Sequence, residues 1–215
     1  MFLNIALPKG RLGNTAYQML KKAGYSCAEL EGDSRKLVFE NEQTKIRFFL
    51  VKSSDVQVYV YHGVADIGIV GKDVLDESGI KVLEMLDLKF GICSFAVAGK
   101  AGFTYDTRHI LKVATKYTKI AAEHYSKKNQ EIELVKLNGS VELAPLIGLS
   151  DVIVDIVETG TTLRENNLEV IEYFYNSSAR LIVNEAGYRF KQAAIDKLLK
   201  KLEFEVEQVR GKKDD

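Results

Sequence analysis

The stretch Ser150 to Val170, SDVIVDIVETGTTLRENNLEV, gathers side chains suited to holding a sugar phosphate. A β-branched run delivers Asp155 and Glu158 to a strand end, and Thr159, Gly160, Thr161 and Thr162 then open a helix. Backbone N–H groups at such a turn stabilise a phosphate's charge, glycine permits close approach, and threonine hydroxyls add donors. Asp155 and Glu158 would accept hydrogen bonds from sugar hydroxyls. The competing reading is an ordinary capping box, with Thr162 followed three positions later by Glu165.

A second anion site is suggested by Pro8-Lys9-Gly10-Arg11, two cations and a glycine at the carboxyl end of the first predicted strand, where open α/β sheets gather ligands. Its alternative is a solvated basic turn. Arg35 and Lys52 are further cations near predicted strand ends, and each reads equally as surface charge. No protein-held metal is expected, because His62, His109 and His124 lack ligand spacing and Cys27 and Cys93 form no C-x-x-C pair. His62, just before Gly63, suits a helix C-terminus, and both cysteines read as structural thiols.

These groups need a frame, and the chain supplies an alternation of short apolar runs with helical stretches. Strands are predicted over 2–7, 39–51, 65–70, 90–98, 110–114, 132–137, 151–157, 170–175 and 181–183. Helices are predicted over 14–23, 56–61, 119–127, 141–149 and 161–168, with a strongly amphipathic one over 186–202 and a polar tail over 211–215. The pattern is α/β throughout. With 30 Lys plus Arg against 30 Asp plus Glu in 215 residues, the net charge is zero, which argues against a general nucleic-acid or membrane-surface binder. The 46% hydrophobic content suffices for a buried core. No apolar run approaches the ~20 residues of a membrane span, and the N-terminus does not read as a secretory signal. A cytoplasmic location is therefore expected.

The phrases LPKGRL at 7–12, VADIGIVGKDVL at 64–75, VATKY at 113–117 and LNGSVELAPLIGLSDVIVDIVETGTTL at 137–163 together resemble one family, ATP phosphoribosyltransferase, over residues 2 to about 205. The resemblance is to its short form, which lacks a C-terminal regulatory domain. It implies a fold like the two-lobed type II periplasmic binding proteins, with the active site in the interlobe cleft. Lobe one would comprise 1–90 plus 184–215, and lobe two 91–183. The implied reaction opens histidine biosynthesis: N1 of ATP displaces pyrophosphate from phosphoribosyl pyrophosphate. By the same resemblance, Asp155 and Glu158 through Thr162 hold the ribose and 5′-phosphate, and Lys9, Arg11, Arg35 and Lys52 face pyrophosphate or the ATP phosphates. Many relatives carry arginine at position 52, so lysine there replaces a bidentate fork with a point charge.

Ser140 and Glu142 are weaker candidates for the purine, their alternative being an N-cap with a first-turn acid. Mg2+ would arrive with the substrates. The implied partner is a regulatory subunit resembling a histidyl-tRNA synthetase, in a hetero-oligomer built around a catalytic dimer. Two rivals stand beside this reading. A purine or pyrimidine phosphoribosyltransferase usually carries adjacent acids, whereas Asp155 and Glu158 stand three apart. A non-catalytic solute-binding protein of the same fold would be expected to carry a secretion signal.

Overall fold

The computed structural model describes residues 1–32, 34–106 and 108–211. The expected polar tail over 212–215 lies outside the described residues. The chain divides into two α/β units: Met1–Gly91 with Ser178–Asp215, and Ile92–Ser177.

The first unit begins with β1 (Leu3–Pro8), α1 (Arg11–Lys22), β2 (Val38–Asn41), β3 (Ile46–Val51), α2 (Val56–Tyr61), β4 (Ile67–Gly71), α3 (Lys72–Ser78) and β5 (Leu83–Asp87). The second carries β6 (Cys93–Lys100), β7 (Leu111–Thr115), α4 (Thr118–Lys127), β8 (Ile132–Lys136), α5 (Leu143–Leu146), β9 (Val152–Val157), α6 (Thr161–Glu165) and β10 (Leu168–Ser177). The chain then returns to the first unit with β11 (Ala179–Val183) and α7 (Glu185–Gly211). One six-stranded sheet runs β2-β3-β1-β4-β11-β5, and one five-stranded sheet runs β10-β6-β9-β7-β8.

Strand β1 pairs in parallel with both β3 and β4, which covers its two edges, and it is apolar except at Asn4, with residues of both faces entering cores. Leu3, Ile5 and Leu7 enter one core with Phe48, Ile67 and Leu181, while Ala6 enters another with Val51, Val56 and Ile182. In the second sheet β9 is antiparallel to β6 and parallel to β7. Val152 and Val154 face the core of Phe95 and Val113, and Ile153 and Val157 face that of Ala96, Ala98 and Leu163. Among the described residues, no helix is long and apolar enough to cross a membrane.

Several expected boundaries move. The return to the first unit comes at Ser178 rather than 184, because β11 pairs antiparallel with β4 (Ala179 beside Gly71) and with β5. The single strand expected over 39–51 is a hairpin. Asn41 turns the chain, its Oδ1 accepting from the N–H groups of Gln43 at 2.9 Å and Thr44 at 3.1 Å, and Lys45 adopts a φ of 54°. The helix expected over 161–168 stops at Glu165, since Leu168 already pairs with Lys100 across β10 and β6. The amphipathic helix expected over 186–202 extends over α7 but bends at Lys191, where φ is −123° and ψ 20°.

Candidate functional site

Along β9, Ile153, Asp155 and Val157 share one face, with Ala96 paired directly opposite Asp155. The small side chains of Ala96 and Ala98 leave room there, and a cavity of about 330 Å3 opens over them. Asp155, Glu158, Thr159, Gly160, Thr161, Thr162 and Glu142 all line it. Burial pushes the Asp155 carboxyl above its ordinary pKa, and nearby Glu142 pushes the same way. The Ile156 N–H and the Lys116 charge pull it down. Asp155 is thus a carboxyl group partly withdrawn from solvent at the cavity wall, with the Ile156 N–H as a backbone donor.

The loop after β9 is shaped by Gly160, whose φ of 69° and ψ of 8° lie in the left-handed region that glycine adopts without strain. Gly160 is the cap residue of α6, and no side chain caps that helix, so the Thr162–Glu165 capping box does not form. Thr162 lies inside the first turn instead. The hydroxyls of Thr159 and Thr161 are 3.1 Å apart, and the Thr161 N–H points at Thr159 Oγ1 at 3.4 Å. Leu163 is buried beneath and anchors the turn. Three threonine hydroxyls and the Gly160 turn therefore border one cavity, an arrangement of donors suited to a small anion.

Ser140 is not an N-cap. It adopts a φ of 49°, α5 begins only at Leu143, and the residue capping it is Glu142, without a side-chain bond. A serine held in the left-handed region costs about 1–3 kcal/mol, the kind of strain that gathers at functional loops. Glu142 lines the cavity of the second unit, whereas Ser140 does not.

In the first unit, pairing of Pro8 with Val51 puts Lys9 and Lys52 at the carboxyl ends of neighbouring parallel strands. The Lys9 N–H donates to the Val51 carbonyl at 2.8 Å, which fixes this edge. Helix α1 is capped by Gly10, with φ of 92°, no side-chain cap and no acid in its first turn. Gly13 packs so closely that a Cβ there would meet the Pro8 carbonyl oxygen at 1.7 Å. A small cavity of about 140 Å3 lies beside Lys9, Gly10 and Asn14. Arg35 is exposed in the segment leading to β2, whose first residue, Val38, pairs with Phe49 near the same end of β3. Lys9, Arg11 and Lys52 are likewise exposed.

The residues named from sequence thus fall into two sets, each within one unit. Sequence reasoning missed Ala96 and Ala98, although the alternation of small and large residues in Phe95-Ala96-Val97-Ala98 carries the signal. It also missed Arg164, whose guanidinium donates to the Thr159 carbonyl at 3.1 Å and to Thr161 Oγ1 at 3.2 Å. Among the described residues there is no group of three or more His, Cys, Asp or Glu arranged to hold a metal ion.

Comparison with known proteins identifies the family. The family described as HisG: ATP phosphoribosyltransferase matches residues 52–204. An ATP phosphoribosyltransferase of Brachyspira hyodysenteriae is 54% identical over 205 residues, covering 94% of this chain and 98% of that protein. One of Clostridioides difficile is 51% identical over 203 residues, covering 94% and 97%. Among solved structures, an ATP phosphoribosyl transferase (HisG:HisZ) complex from Thermotoga maritima superposes with a TM-score of 0.82 at 36% identity, covering 96% of this chain and all of that one. A periplasmic sulfonate-binding protein, SsuA, from Methylobacillus flagellatus KT reaches a TM-score of 0.63 at 12% identity over 97% of this chain and 69% of that one, a likeness of fold alone. The fold is thus of the periplasmic-binding-protein type, and the chain belongs to the ATP phosphoribosyltransferase family.

Proposed function

We propose that this chain catalyses the first step of histidine biosynthesis, as a pentosyltransferase joining ATP to phosphoribosyl pyrophosphate. N1 of the adenine attacks C1 of the ribose, the C1–O bond to pyrophosphate breaks, and phosphoribosyl-ATP and pyrophosphate leave. The observation that carries this reading is the convergence of Asp155, Glu158 and the Thr159–Thr162 turn on one cavity. The carboxylates accept from the ribose hydroxyls, and the hydroxyls and N–H groups of the turn donate to the 5′-phosphate.

The adenine N1 lone pair is free at neutral pH, so no Ser-His or Cys-His pair is needed. The demand is to orient two polyanions and to stabilise charge on the departing pyrophosphate. Lys9, Arg11, Arg35 and Lys52 fill that role in this reading. A cation–anion contact at ~4 Å contributes about 4 kcal/mol before desolvation at an effective dielectric near 20, so a few cations matter greatly. Lys52 acts as a point charge, without arginine's two-pronged grip. Glu142, beside Asp155 in the cavity, faces the purine, and Ser140 shapes the loop leading to it. Mg2+ comes with the substrate phosphates.

The solved Thermotoga structure is of a HisG:HisZ complex. We accordingly assign this chain a catalytic-dimer role within a hetero-oligomer whose other subunit is regulatory and resembles a histidyl-tRNA synthetase, in the cytoplasm. The test is mass spectrometry of nucleotides after incubation with ATP, phosphoribosyl pyrophosphate, Mg2+ and pyrophosphatase, with and without that subunit. An ATP adduct heavier by one phosphoribosyl group is expected. Absence of the adduct in both mixtures, with folded protein and intact substrates, would overturn the assignment.

A further inference from the structure

The cavity of the second unit has an electrostatic problem. Glu142, Asp155 and Glu158 line it, and none of its described lining residues is basic. The Lys116 charge acts on Asp155, and a phosphate dianion received at the turn gains from a further positive charge placed there. Arg164, one turn on from that loop, reaches back over it. Nη1 donates to the Thr159 carbonyl at 3.1 Å, Nη2 donates to Thr161 Oγ1 at 3.2 Å, and Nη1 lies 3.3 Å from where a Gly160 side chain would begin.

These contacts brace the turn. Thr161 Oγ1 accepts from Arg164 and stands 3.1 Å from Thr159 Oγ1, so the guanidinium and the two hydroxyls form one hydrogen-bonded chain. Thr159 Oγ1 in turn faces the Thr161 N–H at 3.4 Å. A guanidinium carries five N–H donors, of which these two contacts use two. The cation thus holds the Thr159 carbonyl and the Thr161 hydroxyl in one turn and keeps further N–H groups beside it.

We infer that Arg164 is a positioning residue for the sugar phosphate: its guanidinium braces the turn through the Thr159 carbonyl and the Thr161 hydroxyl and places a positive charge beside it. This rests on the phosphoribosyl reading of the cavity, and deepens it. The position is not one the chemistry of transfer requires, since Arg164 touches no reacting atom. Its effect belongs in binding of the phosphate-bearing ligand rather than in turnover.

The experiment measures binding of ribose 5-phosphate and of ribose by calorimetry on the whole chain, for Arg164→Ala, Arg164→Lys and Arg164→Gln, with kcat and KM for both substrates alongside. Loss of a charge-assisted pair of contacts should weaken ribose 5-phosphate about tenfold and leave ribose unchanged. KM for phosphoribosyl pyrophosphate should rise similarly, with kcat and KM for ATP within about threefold. Lysine should recover only part of the loss, because it restores charge without the two-pronged hold. Asp155→Asn and Thr162→Val serve as references. If these weaken ribose 5-phosphate and Arg164→Ala does not, the role of Arg164 is wrong while the cavity reading stands. If none of the three variants changes it, the cavity reading falls and the inference falls with it.

Discussion

Lys191 Nζ lies 2.6 Å from Asp66 Oδ2, both side chains almost wholly buried, at the one residue where α7 leaves helical geometry. The same ammonium donates to the Phe2 carbonyl at 2.8 Å, and Asp66 Oδ2 also accepts from the Asn4 N–H at 2.8 Å. The bend in α7 thus brings a cation onto a carboxylate already tied to β1. Removing one partner leaves an unpaired buried charge, so Lys191→Met is expected to lower stability by about 3–5 kcal/mol in urea titrations. The double variant Asp66→Asn with Lys191→Met should recover part of that loss. A double-variant loss equal to the sum of the Lys191→Met and Asp66→Asn losses would show the pair to be uncoupled.

Asp155 sets function against stability. Its carboxyl pKa is raised by burial, so folding favours its protonated form and stability falls as pH rises through the carboxylate range. Asp155→Asn should therefore raise stability at neutral pH by about 1 kcal/mol while weakening binding of phosphoribosyl pyrophosphate. Melting curves and substrate titration check the two halves separately. Unchanged affinity in this variant and in Thr162→Val would contradict the sugar-phosphate assignment.

His124 imposes a pH limit of its own. It stacks on Phe174 with centroids 3.9 Å apart, and its buried Nε2 is 3.6 Å from Glu172 Oε1, beyond hydrogen-bond reach. Burial lowers its pKa, Lys128 and Lys127 add to the effect, and Glu172, itself paired with Lys128, opposes it. The unfolded chain therefore binds this proton more readily. The contribution to stability is complete above about 6.5, the unperturbed histidine value, and is lost as pH falls below it. His124→Phe should flatten the stability profile between pH 5 and 7, read by denaturant titration at each pH. A profile that stays as steep in the variant would place the acid sensitivity elsewhere.

Two glycines at the first strand end answer different demands. A methyl group at Gly13 has no space, being 1.7 Å from the Pro8 carbonyl oxygen, whereas one at Gly10 meets nothing within 4 Å but sits at a φ of 92°. Gly10→Ala should cost about 1–2 kcal/mol of backbone strain. Gly13→Ala must displace backbone and should cost more than about 3 kcal/mol. Thermal melts of the two variants provide the comparison, and equal costs would contradict the close approach at Gly13.

Lys9 and Lys52 are exposed, so alanine there should change stability by no more than about 0.5 kcal/mol. Turnover, in contrast, should fall about tenfold or more for each if they stabilise substrate phosphates. Stability losses without a kinetic effect would favour the solvated basic turn.

The legible part of the site was the part encoded locally. Asp155 through Thr162 are within eight consecutive positions, and strand period plus one glycine suffices to aim them at a common point. Lys9 and Lys52 were nameable as strand-end cations, but their adjacency depends on β1 pairing with β3, which periodicity does not specify. Arg164 escaped because its role exists only once a five-residue helix turns it back over Thr159. The bend at Lys191 escaped because the partner its side chain meets there, Asp66, lies 125 positions away in sequence. Hydrophobic pattern found the α/β alternation, while the division into two lobes came from the family resemblance alone, and the pattern missed the hairpin at Asn41, where a side chain rather than a glycine or proline makes the turn. The return at Ser178 depended on the partners of β11, and a buried apolar strand fits either sheet equally well.

Strand β11 has a consequence for synthesis. It fills the gap between β4 and β5, so the first 91 residues leave the ribosome with their sheet divided and one edge of β4 bare. The second unit, continuous from Ile92 to Ser177, needs nothing from either flank to complete its strand order. Nascent chains fold by whole domains as these become complete. The order of maturation is therefore inverted relative to the order of translation: the middle of the polypeptide matures first, and its beginning waits for its end.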